Sequence, residues 1–335
     1  MTATFVIFTF ILVFPFLFAS TAFALASGKA SPLCENLRRI PSMGSFFEIQ
    51  IITPCKNKVR TEDFVYVQKQ LDQMESEMSL YQSESALSQL NRQGFLAAPI
   101  PTHLGAVVKS ALEIYKQTDH LFDVTIWPVL SLIQSSFKKN KVPPTDFELD
   151  DLRPLIGAEK VQFKNSRIEF QEKGMGISLD GIAKGYAVDI VGEFFVSRGF
   201  ENYLLNFSGN MKWRGQGLNS QGKRKNWKIR IWDPVYKKLI NIDKLPAQGA
   251  IASSGGANES YDLVKKWHHI IDPRSLRPAN RWIQTTVVGP LAKECDVLST
   301  ATYIMNDEQI RKIIKKGFPN YRVYVIDQNQ SVRVF

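Results

Sequence analysis

The chain has 335 residues and is 44% hydrophobic, with no low-complexity tract and no internal repeat, enough for one large core or two smaller lobes. Its formal net charge of +10 raises nucleic acid as a partner. The basic residues are scattered, however, apart from 223–228 (KRKNWK) and 312–316 (KIIKK), and no nucleic-acid-binding motif accompanies them, so the sequence reads against nucleic acid.

No charge occurs before Lys29, and residues 5–26 are almost all apolar. The run ends in Ala22, Ala24 and Ala26, small residues at the spacing a signal peptidase reads. Residues 1–26 are therefore expected to be a secretory signal, with the remainder, 27–335, forming the mature domain. The usual positive start of such a signal is missing, and the run is long enough to span a bilayer, so an uncleaved anchor is the rival reading. Cys34 follows Ser31-Pro32-Leu33, which lacks the small residue expected before a lipidated cysteine. In an oxidising compartment Cys34 and Cys55 can pair and leave Cys295 free; three free thiols are the alternative, and no spacing suggests zinc.

Residues 46–52 (FFEIQII) read as a strand, preceded by a Met43-Gly44 loop. Phe64, Val67, Leu71, Met74 and Met78 recur at steps of three and four, the stripe of an amphipathic helix. A short helix follows over 83–91, and Thr102 can cap another with Leu104, Val107, Val108, Ala111 and Tyr115 inside. Residues 131–153 are polar and proline-bearing, a surface excursion with a helix near 146–152. Strands at 161–163 and 167–170 flank Asn165-Ser166 as a hairpin. A strand at 176–179 leads through a turn into a helix that Gly199 ends, with Ile182, Ala183, Tyr186, Ile190, Val191 and Phe194 on one face. Strands are expected at 203–207, 228–232, 249–253 and 284–289, a helix starting near Asp296, another over 307–316, and two short strands at the end. Many strands are joined without helices between them, which argues an α+β fold, one domain of two lobes with a largely antiparallel sheet.

Four stretches can carry chemistry. In 176–191 (GISLDGIAKGYAVDIV) a turn places free N–H groups at a helix start, which stabilises an anion, and Lys184 sits where the helix dipole disfavours a cation unless an anion is near. Asp296 and Thr300 stand four residues apart on one helix face and offer hard oxygen ligands suited to Mg²⁺. His268-His269 puts one imidazole on each side of a strand, and a histidine near neutrality can accept a proton. Ser253-Ser254-Gly255 can cradle phosphate with backbone N–H groups. Each has a plain alternative: a packing joint, an N-cap aspartate, a structural histidine and an ordinary turn. Asp123, between Phe122 and Val124, is an odd residue for a half-buried loop and can equally cap a turn.

Their joint order is more telling. Met43-Gly44, Ser79-Leu80-Tyr81, Phe122-Asp123, Gly181-Ile-Ala-Lys184-Gly-Tyr186, Asn206-Phe-Ser-Gly209, Ser253-Ser-Gly255, His269-Ile-Ile-Asp-Pro273 and Asp296-x-x-x-Thr300 occur in sequence. The set resembles the ApbE family of Mg²⁺-dependent FAD:protein FMN transferases, from Met43 to Met305. The resemblance implies an exported, periplasmic enzyme that binds FAD between two lobes and splits its pyrophosphate. FMN would be left on a threonine or serine of an acceptor protein, in a membrane-associated redox complex, and AMP would depart. It implies Mg²⁺ on the Gly181 carbonyl, the Asp296 carboxylate and the Thr300 hydroxyl. It implies FAD near Met43, Tyr81, Leu121, Phe122, Asp123, Ser178, Lys184, Ser254 and Ile270, with His269 as general base. It also allows association with the inner membrane. The chain departs from the family pattern where Ser178 replaces an aspartate, where Ser208 and Asn210 replace a glycine and an acidic residue, and where Ser-Ser-Gly runs into Gly-Ala-Asn-Glu. A second enzymatic reading is an FAD pyrophosphatase that gives FMN and AMP, with water as nucleophile at the same site; the changes at Ser178 and Asn210 keep open a third, a non-catalytic periplasmic flavin-binding protein.

Overall fold

The computed structural model describes residues 31–335 other than 165, 243, 259 and 265. The expected signal lies outside the described residues.

Strands β1 (Leu33–Ser42) and β2 (Ser45–Pro54) form a hairpin. A small sheet follows from β3 (Phe95–Leu96), β4 (Val161–Lys164) and β5 (Arg167–Phe170), the last two being the hairpin read from Asn165-Ser166. Next come β6 (Tyr203–Phe207), β7 (Asn210–Arg214), β8 (Gln216–Leu218), β9 (Arg224–Asn226), β10 (Arg230–Asp233), β11 (Lys238–Asn241) and β12 (Gln248–Ser254). The last are β13 (Ile271–Asp272), β14 (Arg277–Pro278), β15 (Trp282–Gly289), β16 (Arg322–Asp327) and β17 (Val332–Val334). Eight of them build one sheet in the order β1-β2-β6-β7-β12-β15-β16-β17, antiparallel at every pairing. The α+β class with a largely antiparallel sheet is thus borne out.

Among the described residues eight α-helices accompany the sheet: α1 (Thr61–Met78), α2 (Ala86–Gln93), α3 (Thr102–Gln117), α4 (Trp127–Asn140), α5 (Asp146–Asp150), α6 (Ala183–Ser197), α7 (Ala292–Ile304) and α8 (Asp307–Gly317). Side chains alternate across a strand, so each strand serves two layers. Ala250, Ala252, Val287, Val323 and Val325 point into the main core, which α6 and α7 close. Their neighbours Ile251, Val288 and Tyr324, with Trp213, point the other way. There they pack against Ile229, Ile231 and Ile242 of the segment around the β10–β11 hairpin.

Two sharp turns sit at one end of the sheet. Met43 and Gly44 join β1 to β2 at φ 46° and 68°, and Ser208 and Gly209 join β6 to β7 at φ 53° and 94°. Positive φ at both central residues gives the twist that tight hairpins need. The two turns touch: the Ser45 and Ser208 hydroxyls are 2.5 Å apart. Cys34 and Cys55 form a disulfide across the far end of the β1–β2 hairpin, and Cys295 is a buried free thiol.

Three expectations need correction. Residues 127–140 form a full helix, α4, not a surface excursion. Its Val129, Leu130, Ile133 and Phe137 make a second core with Leu149, Ile156, Ile271 and Leu276, a stripe diluted in sequence by serines and lysines. Residues 176–179 are extended but join no ladder; Asn91 takes the place of a strand partner, its amide bonding both the Ile177 N–H and carbonyl at 2.9 Å. The helix bearing Asp296 begins at Ala292, one turn earlier than read, so Asp296 is not its N-cap.

Candidate functional site

The first residue of α6 is Ala183, and no side chain of its own N-cap, Ile182, can satisfy the helix start. The same holds for α7, whose N-cap is Leu291. Exposed N–H groups at a helix start need acceptors. Each helix supplies them to the other. The Gly185 N–H donates to Asp296 Oδ2 of α7 at 3.0 Å. In return Asp189 of α6 accepts the Ala292 N–H on Oδ1 at 3.0 Å and the Lys293 N–H on Oδ2 at 2.8 Å. Lys212 of β7 completes the joint with an ion pair to Asp189 at 2.5 Å. The helices touch at Gly185, where an added Cβ would lie 2.5 Å from the Ala292 carbonyl oxygen.

This cross-capping exposes oxygen. In a helix starting one residue earlier, the Gly185 N–H would close on the Gly181 carbonyl. Spent on Asp296, it leaves that carbonyl outside the helix ladder. Gly181 lies beside α7: a Cβ there would be 3.4 Å from Thr300 Oγ1 and 3.1 Å from the Phe122 ring. Thr300 Oγ1 is in turn 3.2 Å from Ser254 Oγ at the end of β12. Asn210, at the start of β7, is buried with its amide toward Asp296. Burial pushes the Asp296 carboxyl up to about 6, against the pull of the Lys184 charge, the Gly185 N–H and the Asn210 amide.

Gly181, Lys184, Asp296, Thr300, Ser254 and Phe122 therefore form one cluster. Ser178 runs alongside, its N–H donating to the Val124 carbonyl at 2.8 Å and its hydroxyl accepting the Asp180 N–H at 3.3 Å. Leu121 is buried, and Asp123 caps the turn after it, accepting both the N–H and the hydroxyl of Thr125. Burial raises the Asp123 carboxyl above its ordinary range despite those bonds. Met43 belongs to the same sheet end through the Ser45–Ser208 contact, and its N–H donates to Glu75 at 2.8 Å. Tyr81 stands apart as a ring 84% exposed on the segment after α1, whose backbone N–H donates to Ser79 Oγ.

The two histidines divide as the alternation predicts. His268 bridges to Ser260, is fully buried against Gly256 and Tyr303, and accepts the Ile270 N–H on Nδ1. Burial, helped by the neighbouring His269, lowers its pKa to about 4, so it is a neutral structural group. His269 is half-buried on the other side, and Ile270 is buried.

The donor set decides what this cluster can hold. Among the described residues no three His, Cys, Asp or Glu side chains gather as a metal centre. One carboxylate, one hydroxyl and one carbonyl suit a hard ion that keeps water or phosphate oxygens in its other positions, and Mg²⁺ fits that description. Sequence reasoning missed Asp189 and Asn91. Asp189 had a signal: a lone acid amid Ala187, Val188, Ile190 and Val191 must be paired if that helix is buried.

Comparison with known proteins gives the family and the fold. A model of the ApbE family matches residues 43–325. A relative from Vibrio cholerae named FAD:protein FMN transferase is 29% identical over 303 residues, covering 88% of each chain. One of the same name from Salmonella typhimurium is 26% identical over 298 residues, 86% of this chain and 83% of its own. The solved structure of the flavin transferase ApbE from Vibrio cholerae superposes with a TM-score of 0.77 at 26% identity, covering 91% of this chain and 97% of that one.

Proposed function

Because the chain belongs to the ApbE family, we propose that it is an FAD:protein FMN transferase, moving FMN from FAD to a serine or threonine hydroxyl of an acceptor protein. The observation that carries the reading is the α6–α7 joint, which gathers Asp296, Thr300 and a Gly181 carbonyl outside the helix ladder beside Lys184. Asp296, Thr300 and the Gly181 carbonyl would hold Mg²⁺. When bound, that ion neutralises charge on phosphoryl oxygens and on a departing phosphate.

The chain's own residues do the rest. Lys184, in the first turn of α6, receives the pyrophosphate, an anion that the helix dipole also favours there. Ser254 lies within hydrogen-bond reach of Thr300 and keeps its hydroxyl turned to the cluster. The Leu121–Asp123 turn, Met43 and Tyr81 flank the flavin and adenine faces, which suit thioether and aromatic contact. His269 takes the proton of the acceptor hydroxyl. The hydroxyl oxygen bonds to the FMN phosphorus, the bond from that phosphorus to the AMP oxygen breaks, and AMP leaves with the electron pair. The Cys34–Cys55 disulfide supports an exported, periplasmic setting, since such bonds persist in oxidising compartments. The acceptor belongs to the redox proteins of that setting.

The test is to incubate the protein with FAD, Mg²⁺ and an acceptor domain that a known flavin transferase can label. Flavin fluorescence on the denatured acceptor, with AMP in equal amount, is the expected result. AMP without labelled acceptor would replace the transferase by an FAD pyrophosphatase. Bound FAD with no AMP would reduce the protein to a flavin binder.

A further inference from the structure

The charge of this chain is not spread evenly. Residues 219–245 hold eight Lys and Arg against two Asp, and so carry +6 of the chain's net +10. The stretch runs from the turn of the β8–β9 hairpin through β9 and the β10–β11 hairpin to the segment before β12. It covers the sheet face opposite α6 and α7. Trp227, Ile229, Ile231, Ile240 and Ile242 pack inward on that face. Lys223, Arg224, Lys225, Lys228, Arg230, Lys237, Lys238 and Lys244 are all exposed. None of the eight forms an ion pair with a described acidic side chain. Asp233 does not offset them outward: it is buried, and accepts the Val235 and Tyr236 N–H groups.

The same surface carries apolar side chains where a soluble turn would carry polar ones. Val235, Tyr236 and Leu239, at the tip of the β10–β11 hairpin, are exposed, and Lys238 Nζ lies 4.5 Å above the Tyr236 ring. Lysines flanking an exposed tyrosine and two aliphatic residues match a bilayer interface, where the cation meets headgroup phosphate and the ring sits at headgroup depth. A nucleic-acid site would instead need a groove or a stacking platform, and here the aromatic Trp227 is turned inward, its ring against Gly217.

We propose that the two hairpins form a docking surface for anionic phospholipid, holding the protein on a membrane through this face. The sheet end that bears Met43, Asn210 and Ser254 then stays open at the side of the molecule.

The experiment is co-sedimentation of the full chain with vesicles of phosphatidylglycerol mixed with phosphatidylcholine, against phosphatidylcholine alone. Any binding through the apolar residues 5–26 is common to both vesicles, so the difference between them reports the hairpins. The wild type should prefer the anionic vesicles by about tenfold or more, the scale set by a few lysines at a charged surface. The preference should vanish at about 1 M salt, where the screening length is about 3 Å. Lys223→Glu/Lys225→Glu and Lys237→Glu/Lys238→Glu should each remove most of it while keeping the melting temperature. Equal binding to both vesicles, or a preference untouched by either double variant, would overturn the proposal. So would tight binding to duplex DNA without any anionic-lipid preference.

Discussion

The two faces of the central sheet spend their charges in opposite ways. On the helix face, Asp189 and Asp296 are buried, and each carboxylate holds the start of the neighbouring helix. On the hairpin face, eight exposed cations form no ion pair with a described acidic side chain, and their fixed contacts are slight, such as the Arg224 bond to Asn202 Oδ1 at 3.0 Å. A buried charge must be fully partnered, so its removal disturbs everything it touches, whereas an exposed charge acts only on what arrives from outside. The proposed chemistry thus falls on the first face and the proposed attachment on the second.

Substitutions test that division. Asp296→Ala should have the largest effect, because one side chain serves as both the proposed metal ligand and the cap of α6. Transfer, followed as flavin fluorescence on the acceptor, should fall below detection. Asp189→Ala touches no proposed ligand but uncaps Ala292 and Lys293 and leaves Lys212 unpaired. We expect about 3–5 kcal/mol of lost stability in urea titration, the usual consequence of breaking a buried pair. Asp189→Asn, which keeps an acceptor oxygen, should lose less.

His269→Ala should lower the transfer rate more than it weakens FAD binding, as separate rate and binding titrations would show. His268 gives a smaller, pH-dependent effect. Its pKa is about 4 when folded against 6.5 unfolded, so the unfolded chain takes up a proton that the folded one refuses. Its contribution is fully present above pH 6.5 and is lost as pH falls toward 4, on the order of 3 kcal/mol across the window. Urea midpoints between pH 7 and 5 should fall less steeply in His268→Asn. Least affected should be Lys237→Glu/Lys238→Glu, with stability within about 0.5 kcal/mol of wild type and unchanged transfer in solution. A large loss of activity there would break the division between the faces.

Much of this was legible in the sequence, and the omissions have a common cause. Asp296 and Thr300 were readable because four residues on a helix is a local relation, and α7 does carry both. The stripe from Phe64 to Met78 was readable because its period is 3.6, although Phe64 is only partly buried. The order of short motifs carried the family. Asp189 capping α7, Asn91 clamping Ile177 and Glu77 accepting the His103 and Leu104 N–H groups of α3 were not readable. Asp189 and Ala292 are 103 residues apart, and no pattern within α6 names its partner. The first strand was also missed: β1 is an edge strand in which half of the residues are exposed and only two are buried, so it lacks the alternation that revealed β2.

The central claim is that Gly181, Asp296 and Thr300 act as one cation site because α6 and α7 cap each other. Mn²⁺ can replace Mg²⁺ as a paramagnetic probe, and its binding can be followed by electron paramagnetic resonance in the presence of FAD without any turnover. The account predicts one site per wild-type chain, its loss in Asp296→Ala, and weaker binding in Asp189→Asn although that residue is no ligand. Undiminished Mn²⁺ binding by folded Asp296→Ala would contradict it.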